Sequence, residues 1–157
     1  MEKVNVAVVG CGYWGPNLIR NFNQVADCRM SVCCDLDSTK LQRMSVLYPS
    51  IKTTSDLNDI LSDDSINSVA IVTPVYTHAV LGKLCIEHGK HVLIEKPMAA
   101  STNECRELIE IAEKKNKVLM IGHTFEYSAA VNKVKEIIES GELGEIYYIY
   151  TSRVNLG

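Results

Sequence analysis

One stretch near the start of the chain decides the fold, Val4-Asn5-Val6-Ala7-Val8-Val9-Gly10-Cys11-Gly12-Tyr13-Trp14-Gly15. Its first half is an apolar run rich in β-branched residues, which is typical of a strand, and a glycine stops it. Its second half fits the pattern G-x-G-x-x-G. Residues 15–24 then place apolar side chains at helical spacing. The stretch therefore predicts a strand, a glycine-rich turn and a helix in direct succession.

Each glycine of this turn has a physical role. Gly10 permits the tight turn, Gly12 lets the backbone approach a pyrophosphate, and Gly15 lets the helix pack close to the strand. The helix N-terminus adds free amides and a partial positive charge, which attract phosphate. The turn, with Tyr13 and Trp14 between its glycines, is therefore predicted to bind the phosphates of a dinucleotide.

The glycine turn is the first half of a dinucleotide-binding fingerprint, and Asp35 supplies the second half. It lies twenty residues after Gly15 and ends a second predicted strand at 29–34. A carboxylate at this place accepts hydrogen bonds from the adenosine ribose hydroxyls and repels a 2′-phosphate. Leu36 follows it, rather than an Arg that would pair with such a phosphate, so the sequence favours NAD over NADP. The alternative is that Asp35 only caps the next helix, although Asp37 is a better candidate for that cap.

The rest of the chain continues the alternation of strands and helices. Further strands are predicted at 51–54, 68–72, 91–94 and 117–121, and helices at 38–47, 55–61, 77–88, 101–115 and 128–140. Several strands are continuously apolar, as in a parallel sheet covered by helices on both faces. We therefore expect residues 1 to about 125 to form a doubly wound parallel α/β domain.

The C-terminal segment departs from this pattern. Residues 145–153 contain three tyrosines and predict a strong strand at the chain end. Such a strand needs a sheet to join, because an unpaired aromatic edge promotes aggregation. We expect residues 126–157 to be a connecting helix and the first strand of a C-terminal substrate domain whose remainder is absent. Alternatively, the strand adds to the first sheet or pairs with another chain.

Composition excludes several classes of protein. The 157 residues are 46% hydrophobic and 22% charged with net charge −3, which is typical of a globular chain and gives no sign of a nucleic-acid partner. No signal region of secretory length is present, and no apolar run approaches the ~20 residues of a membrane span. The six cysteines include no C-x-x-C pair. This favours reduced, buried thiols in a cytoplasmic protein, with no metal site.

Two further strand ends carry candidate site residues. Thr73-Pro74 ends the fourth strand and Glu95-Lys96-Pro97 the fifth. In this architecture ligands bind outside the carboxyl ends of the strands, where the strand order reverses. Lys96 either points into this crevice, where it would hold a substrate hydroxyl or move protons, or forms a surface ion pair. His78 either faces the crevice or lies on the surface, and His123 either serves the site or is a structural histidine.

Taken together, these residues resemble the glucose–fructose oxidoreductase/inositol dehydrogenase family. The resemblance rests on residues 8–15, Cys34-Asp35, Thr73-Pro74 with His78, and Glu95-Lys96-Pro97, in that order and spacing. The Glu95-Lys96-Pro97 triplet is the most specific of them, and the resemblance covers essentially the whole chain. Residues 12–17 and 150–157 are most similar to a subgroup that acts on nucleotide-linked amino sugars.

This resemblance implies a two-domain oxidoreductase that moves a hydride between NAD(P) and a sugar, sugar-nucleotide or polyol carbon. A Rossmann domain would be followed by a domain with a large open sheet, which supplies substrate contacts and a homo-oligomer interface. Lys96 would contact the reacting hydroxyl and Glu95 the nicotinamide ribose region, and the Lys96–Pro97 bond is often cis. The acid/base histidine, in a D-x-x-x-H pattern, would lie in the second domain, so we expect this chain alone to be inactive.

The complete set of candidate residues follows from these arguments. Lys96 is the catalytic candidate. The cofactor-binding candidates, for NAD, are Gly10, Gly12, Tyr13, Trp14, Gly15, Asp35, Thr73, Pro74, His78, Glu95, Lys96 and Pro97. A non-catalytic NAD(H)-binding regulatory module is the alternative, and it would keep the glycines and Asp35 without needing Glu95-Lys96. A second alternative is an interaction or structural protein that keeps the fold but no longer binds the cofactor. The intact glycines argue against it, because such a protein would not need them.

Overall fold

The computed structural model describes residues 3–152 and residue 154 of the chain. Contacts divide the chain after Gly122 into two compact units, 1–122 and 123–157. Within the described residues, no helix has both the length and the apolar character that crossing a membrane requires.

The first unit is built on one six-stranded sheet. All neighbouring strands are parallel, in the order β3-β2-β1-β4-β5-β6. The strands are β1 (Val4–Val9), β2 (Cys28–Cys34), β3 (Lys52–Thr54), β4 (Ser68–Ile71), β5 (His91–Ile94) and β6 (Leu119–Ile121). The order reverses between β1 and β4, where a crevice for a ligand forms in doubly wound sheets. The predicted doubly wound parallel architecture is confirmed.

Helices connect the strands in sequence. The first unit contains α1 (Gly15–Gln24), α2 (Ser38–Leu47), α3 (Asn58–Leu61), α4 (His78–Glu87) and α5 (Thr102–Lys114), with a 3-10 turn at Val75–Thr77. The second unit contains a 3-10 turn at Thr124–Tyr127 and α6 (Ala129–Glu139). Each helix lies at its predicted place, with ends that differ from the prediction by a few residues.

The sheet is buried on both faces, which explains its continuously apolar strands. Val8 belongs to the core that also contains Ile19 of α1 and Met44 of α2. Its neighbour Val9 belongs to the opposite core, with Ile86 of α4. Successive strand residues point to opposite faces, so two cores require apolar residues at every position.

Side chains fix the helix starts. Asp37 caps α2, since its carboxylate accepts a hydrogen bond from the Thr39 amide at 2.9 Å. Ser101 and Glu104 form a reciprocal capping box at the start of α5. The cap of α2 is therefore Asp37, and the alternative that Asp35 serves as this cap is wrong.

The predicted strand at 145–153 does not form over its described part. The structure assigns no strand to residues 145–152, and residue 153 lies outside the described residues. The side chains of Tyr147, Tyr148 and Tyr150 are all more than 80% exposed. A strand exists only where a neighbouring strand completes its hydrogen bonds, and the six strands of the first unit do not include this segment. Over its described residues the segment therefore does not extend the first sheet, and its place in the sheet of a further domain stays a prediction.

Candidate functional site

A cavity of about 1130 Å³ lies at the carboxyl ends of the strands in the first unit. It is lined by residues that follow β1, β2, β4 and β5, on both sides of the reversal in strand order. Of the predicted site residues it brings together Gly10, Gly12, Tyr13, Trp14, Asp35, Thr73, Pro74, His78, Glu95, Lys96 and Pro97. Gly15 does not line the cavity.

Two glycines of the turn are required by the backbone itself. Gly10 has φ of +102°, which disfavours other residues, and a Cβ there would lie 2.6 Å from the Val72 carbonyl oxygen. A Cβ on Gly15 would overlap the carbonyl oxygen of Gly10. The close approach at Gly15 is thus made to the turn itself, not to the strand as the pattern predicts.

Gly12 has a different role. A Cβ there would meet no protein atom within 4 Å, and the residue lines the cavity. The missing side chain therefore leaves free space at the turn, as the glycine pattern requires for a pyrophosphate that approaches the backbone. Tyr13 and Trp14 follow, with their rings in edge-to-face contact at a centroid distance of 5.3 Å. The open cradle at Gly12 fits a bound dinucleotide.

Asp35 is held in place by two backbone amides. Its Oδ2 accepts a hydrogen bond from the Cys11 amide at 2.7 Å, and its Oδ1 accepts one from the Asp37 amide at 2.9 Å. The Asp35 side chain is only 11% exposed, and it lines the cavity. A carboxylate so fixed is already ordered, and each of its oxygens keeps further capacity to accept a hydrogen bond from a ligand in the cavity.

Lys40, in the first turn of α2, lies in the same part of the cavity. Its ammonium lies 3.4 Å from Asp35 Oδ1 and 3.8 Å from Asp37 Oδ2. No motif in the sequence marked this residue. Its position three residues after the Asp37 cap, on the same helix face, is the signal that could have indicated it.

The thiols beside Asp35 are part of the core. Burial raises the pKa of the Cys34 thiol to about 11, and the neighbouring Asp35 carboxylate adds to the shift. The contact with Cys33 raises the pKa of the Cys11 thiol, and burial raises it further. All six cysteines are free. The raised values keep Cys11 and Cys34 protonated at neutral pH, so they act as small apolar side chains and not as nucleophiles.

His78 connects the two strand ends that form the other half of the cavity. Its side chain is buried, with 1% exposure. Nε2 lies 2.8 Å from the carbonyl oxygen of Thr73, after β4, and Nδ1 lies 2.9 Å from that of Pro97, after β5. The alternative of a surface position is wrong. His78 lines the cavity, but both of its ring nitrogens contact the protein backbone.

Glu95 and Lys96 lie where β5 ends. Glu95 Oε2 accepts a hydrogen bond from the Lys96 amide at 3.1 Å. None of the ion pairs found in the described part of the chain joins the two side chains. The Lys96–Pro97 bond is cis, as the resemblance implied. His123 is exposed and belongs to the second unit.

Gly122 was not singled out by the sequence, yet it supports Glu95. A Cβ on Gly122 would lie 3.2 Å from the Glu95 carboxyl group. The carboxylate therefore occupies the space that a side chain at the end of β6 would fill. Among the described residues, no group of three or more His, Cys, Asp or Glu side chains is placed to hold a metal ion.

Comparisons with known proteins identify this arrangement. The model of the family described as "Oxidoreductase family, NAD-binding Rossmann fold" matches residues 4–123. An uncharacterised oxidoreductase of Streptococcus pneumoniae is 30% identical over 150 residues, which is 96% of this chain and 40% of that protein. A 2,7-anhydro-N-acetylneuraminate hydratase of Mediterraneibacter gnavus is 27% identical over 98% of this chain and 40% of its own length. The chain thus spans about 40% of these curated relatives.

A solved structure gives the same result. The WlbA dehydrogenase from Chromobacterium violaceum, crystallised with NADH and UDP-GlcNAcA, has a TM-score of 0.87 and 27% identity. The match covers 94% of this chain and 43% of that one. The sheet, the glycine turn, the amide-held Asp35 and the family match agree, so the chain belongs to the glucose–fructose oxidoreductase/inositol dehydrogenase family and contains its NAD-binding Rossmann domain.

Proposed function

We propose that the protein to which this domain belongs transfers a hydride between NAD and a carbon of a sugar, sugar nucleotide or polyol. The observation that carries the proposal is the presence of Lys96 and Glu95 in the same cavity as the glycine turn and Asp35. The WlbA dehydrogenase, which binds NADH and UDP-GlcNAcA, supports the class of substrate. Nothing in the comparisons favours the non-catalytic regulatory module.

The chain's own residues would divide the work along the cavity. The backbone at Gly12 would contact the pyrophosphate, and Asp35 would accept hydrogen bonds from the adenosine ribose. These contacts would direct the nicotinamide toward Thr73 and Glu95, at the ends of β4 and β5. When bound, the nicotinamide supplies the hydride acceptor or donor.

Lys96 would act on the substrate. Its ammonium would donate a hydrogen bond to the reacting hydroxyl oxygen and stabilise the negative charge that develops there as the hydroxyl proton passes to the acid/base histidine that the resemblance implies in the second domain. Glu95, which accepts from the Lys96 amide and packs against Gly122, would fix this segment next to the nicotinamide ribose. His78 would hold the backbone at Pro97 from the other side.

The remaining expectations about the whole protein also belong to this proposal. Residues from about 126 onward would begin a substrate domain, which is supported by the separate second unit. The oligomer would form through that domain, and the exposed side chains of Ile149 and its neighbouring tyrosines support this. A cytoplasmic location is supported by the six free cysteines, since reduced thiols persist in reducing compartments.

The first test measures cofactor binding by this chain. Trp14 is the only tryptophan and lines the cavity, so bound NADH should change its fluorescence saturably. Gly12→Val should abolish the change, because the side chain would fill the pyrophosphate space. An NADH titration without any saturable signal, repeated by calorimetry, would contradict the cofactor assignment.

The second test measures turnover by the protein in which this domain occurs, with sugar nucleotides as substrates and nicotinamide absorbance as the readout. Lys96→Ala should lower kcat by about 10²–10⁴-fold while NADH affinity stays within a few-fold. Lys83→Ala, at an exposed position on α4, is the matched control. An unchanged kcat in Lys96→Ala would remove Lys96 from the mechanism. One relative is named a hydratase. The net change in nicotinamide absorbance and the amount of sugar product are therefore measured in the same assay, so that turnover without a net change in the nicotinamide is also detected.

A further inference from the structure

Two threonine hydroxyls meet just after the end of β4. Thr73 lies two residues beyond this strand, and Thr77 ends the 3-10 turn that follows it. Their Oγ1 atoms lie 2.6 Å apart, and both residues line the cavity. Thr77 Oγ1 also lies 2.7 Å from the carbonyl oxygen of Pro74. The two hydroxyls therefore form a short hydrogen-bonded chain that ends on a backbone carbonyl.

The carbonyl at its end fixes the direction of this chain. A carbonyl oxygen only accepts, so the single proton of the Thr77 hydroxyl points to Pro74. Thr77 then has no proton for Thr73, and the contact between the two hydroxyls requires that Thr73 donates to Thr77. No other hydrogen bond to Thr73 Oγ1 is found in the described part of the chain. The Thr73 hydroxyl therefore has two lone pairs and no proton for a ligand.

Thr73 is held in place from two sides. Its carbonyl oxygen lies 2.8 Å from Nε2 of the buried His78. Its Cγ2 lies beside the glycine turn, 3.1 Å from where a Cβ on Gly10 would be. Because β4 lies between β1 and β5 in the sheet, Thr73 lies between the glycine turn and the strand end that carries Lys96. In the arrangement proposed above, ligand atoms at this place belong to the nicotinamide half of the dinucleotide.

We infer that Thr73 Oγ1 is an acceptor-only contact for the cofactor, which binds a hydrogen-bond donor on the nicotinamide half, either a ribose hydroxyl or the carboxamide nitrogen. The inference rests on the proposed cofactor arrangement. A donor would satisfy one of the two lone pairs. A phosphate or carboxylate oxygen only accepts, so it would face these lone pairs with no proton between them. Thr73, whose proton is held by Thr77, thus selects ligand groups by hydrogen-bond polarity and not by charge.

Binding of NADH to this chain tests the inference. Dissociation constants are measured by calorimetry for the wild type, Thr73→Val, Thr73→Ser and the matched control Thr53→Val, at an exposed position of β3. Thr73→Val keeps the shape of the side chain but removes its lone pairs, so it should weaken NADH binding about tenfold. Thr73→Ser keeps the hydroxyl. This variant and Thr53→Val should therefore bind NADH within about threefold of the wild type.

A cofactor analogue identifies the donor. The 3-acetylpyridine analogue of NADH has a methyl group in place of the carboxamide nitrogen. If Thr73→Val weakens the binding of NADH but not of the analogue, the donor is the carboxamide. If it weakens both dinucleotides equally, the donor is a ribose hydroxyl. Either result supports Thr73 as the acceptor.

Thr77→Val tests the polarity of the contact. Without Thr77 as its acceptor, the Thr73 proton becomes available to a ligand, so a ligand group that accepts would bind more tightly. We expect no gain in NADH affinity. The inference is overturned if Thr77→Val binds NADH more tightly than the wild type, if Thr73→Val binds it as well as the wild type, or if Thr73→Ser binds it as weakly as Thr73→Val. In each of these outcomes NADH binding by the wild type still supports the cofactor site, whereas a wild type that binds no NADH would overturn both.

Discussion

The backbone amide of Cys11 donates a hydrogen bond to Asp35 Oδ2 at 2.7 Å, across 24 positions of sequence. The turn after β1 and the acidic residue after β2 are therefore one hydrogen-bonded unit and not two separate halves of a fingerprint. The same carboxylate also accepts from the Asp37 amide, so it connects the turn to the start of α2. Asp35 consequently has a structural role in addition to the role toward the ribose that we propose for it.

Replacing Asp35 by alanine should therefore destabilise the domain even without cofactor. The change leaves the Cys11 and Asp37 amides without their partner in a largely buried site, which costs about 1–3 kcal/mol. We expect the free energy of unfolding, measured in urea, to fall by that amount. Asp64→Ala, at an exposed position, is the control and should change it by less than about 0.5 kcal/mol. Equal stability of the two variants would show that Asp35 serves the ligand alone.

The glycine turn allows folding and binding to be separated. Gly15→Ala places a Cβ against the Gly10 carbonyl oxygen, so we expect a loss of stability of about 1–3 kcal/mol or more. Gly12→Ala meets no protein atom within 4 Å, so the apo domain should keep its stability within about 1 kcal/mol. Its NADH affinity should nevertheless fall about tenfold or more, because the methyl group occupies ligand space.

Thermal unfolding and NADH titration of the two glycine variants check this division. Gly12→Ala should bind NADH more weakly while its Tm stays close to that of the wild type. Gly15→Ala should have a lower Tm. If Gly12→Ala bound NADH like the wild type, the free space at Gly12 would not be where the pyrophosphate lies.

The sequence predicted the elements whose signal is local. The run at 4–9, the glycine turn and the Ser101–Glu104 capping box each depend on neighbouring residues, and each was found. The strand at 145–153 stays a prediction, because strand composition is only a preference, and the hydrogen bonds that define a strand must come from a partner elsewhere.

Residues whose role depends on side-chain contacts between strand ends were not predicted. Gly122 matters because the Glu95 carboxylate packs on it from the neighbouring strand. Lys40 matters because α2 brings it back over Asp35. The contact between Gly122 and Glu95 has no fixed sequence spacing, whereas the position of Lys40 three residues after Asp37 is a local signal that the sequence analysis did not use. His78 was predicted either to face the crevice or to lie on the surface. Its contact with Pro97 was not predicted, because it spans 19 residues and follows only from the parallel pairing of β4 and β5.

His78 should contribute to stability through its two carbonyl contacts. Replacing it by Phe keeps an aromatic ring but removes the hydrogen bond that the ring nitrogens supply to the backbone of Thr73 or Pro97. We expect a loss of about 1–3 kcal/mol in the free energy of unfolding. The control is His88→Phe, because His88 is exposed and contacts a single carbonyl, that of Leu84. A loss no greater than that of the control would mean that His78 acts by filling space only.

Cys85 gives the domain a sensitivity to alkaline pH. This thiol in α4 is fully buried, and burial raises its pKa to about 12, against a smaller opposing effect of Lys90. An unfolded thiol ionises near pH ~8.5. Between these values the folded state holds a proton that the unfolded state has lost. The free energy of unfolding therefore falls as pH rises, by at most about 1.4 kcal/mol per pH unit for this group.

Urea unfolding at pH values from 7 to about 11 measures this dependence. Cys85→Ala should make the alkaline fall in stability shallower, whatever the variant costs at neutral pH through the small cavity it creates. The control is Cys105→Ala, which removes a thiol of α5 that is only partly buried and should leave the slope close to that of the wild type. Other groups that titrate in this range contribute alike to all three proteins, so the slopes are compared and not the levels. Parallel slopes for Cys85→Ala and the wild type would show that Cys85 releases its proton in the folded state, through a local opening of α4, as readily as in the unfolded chain.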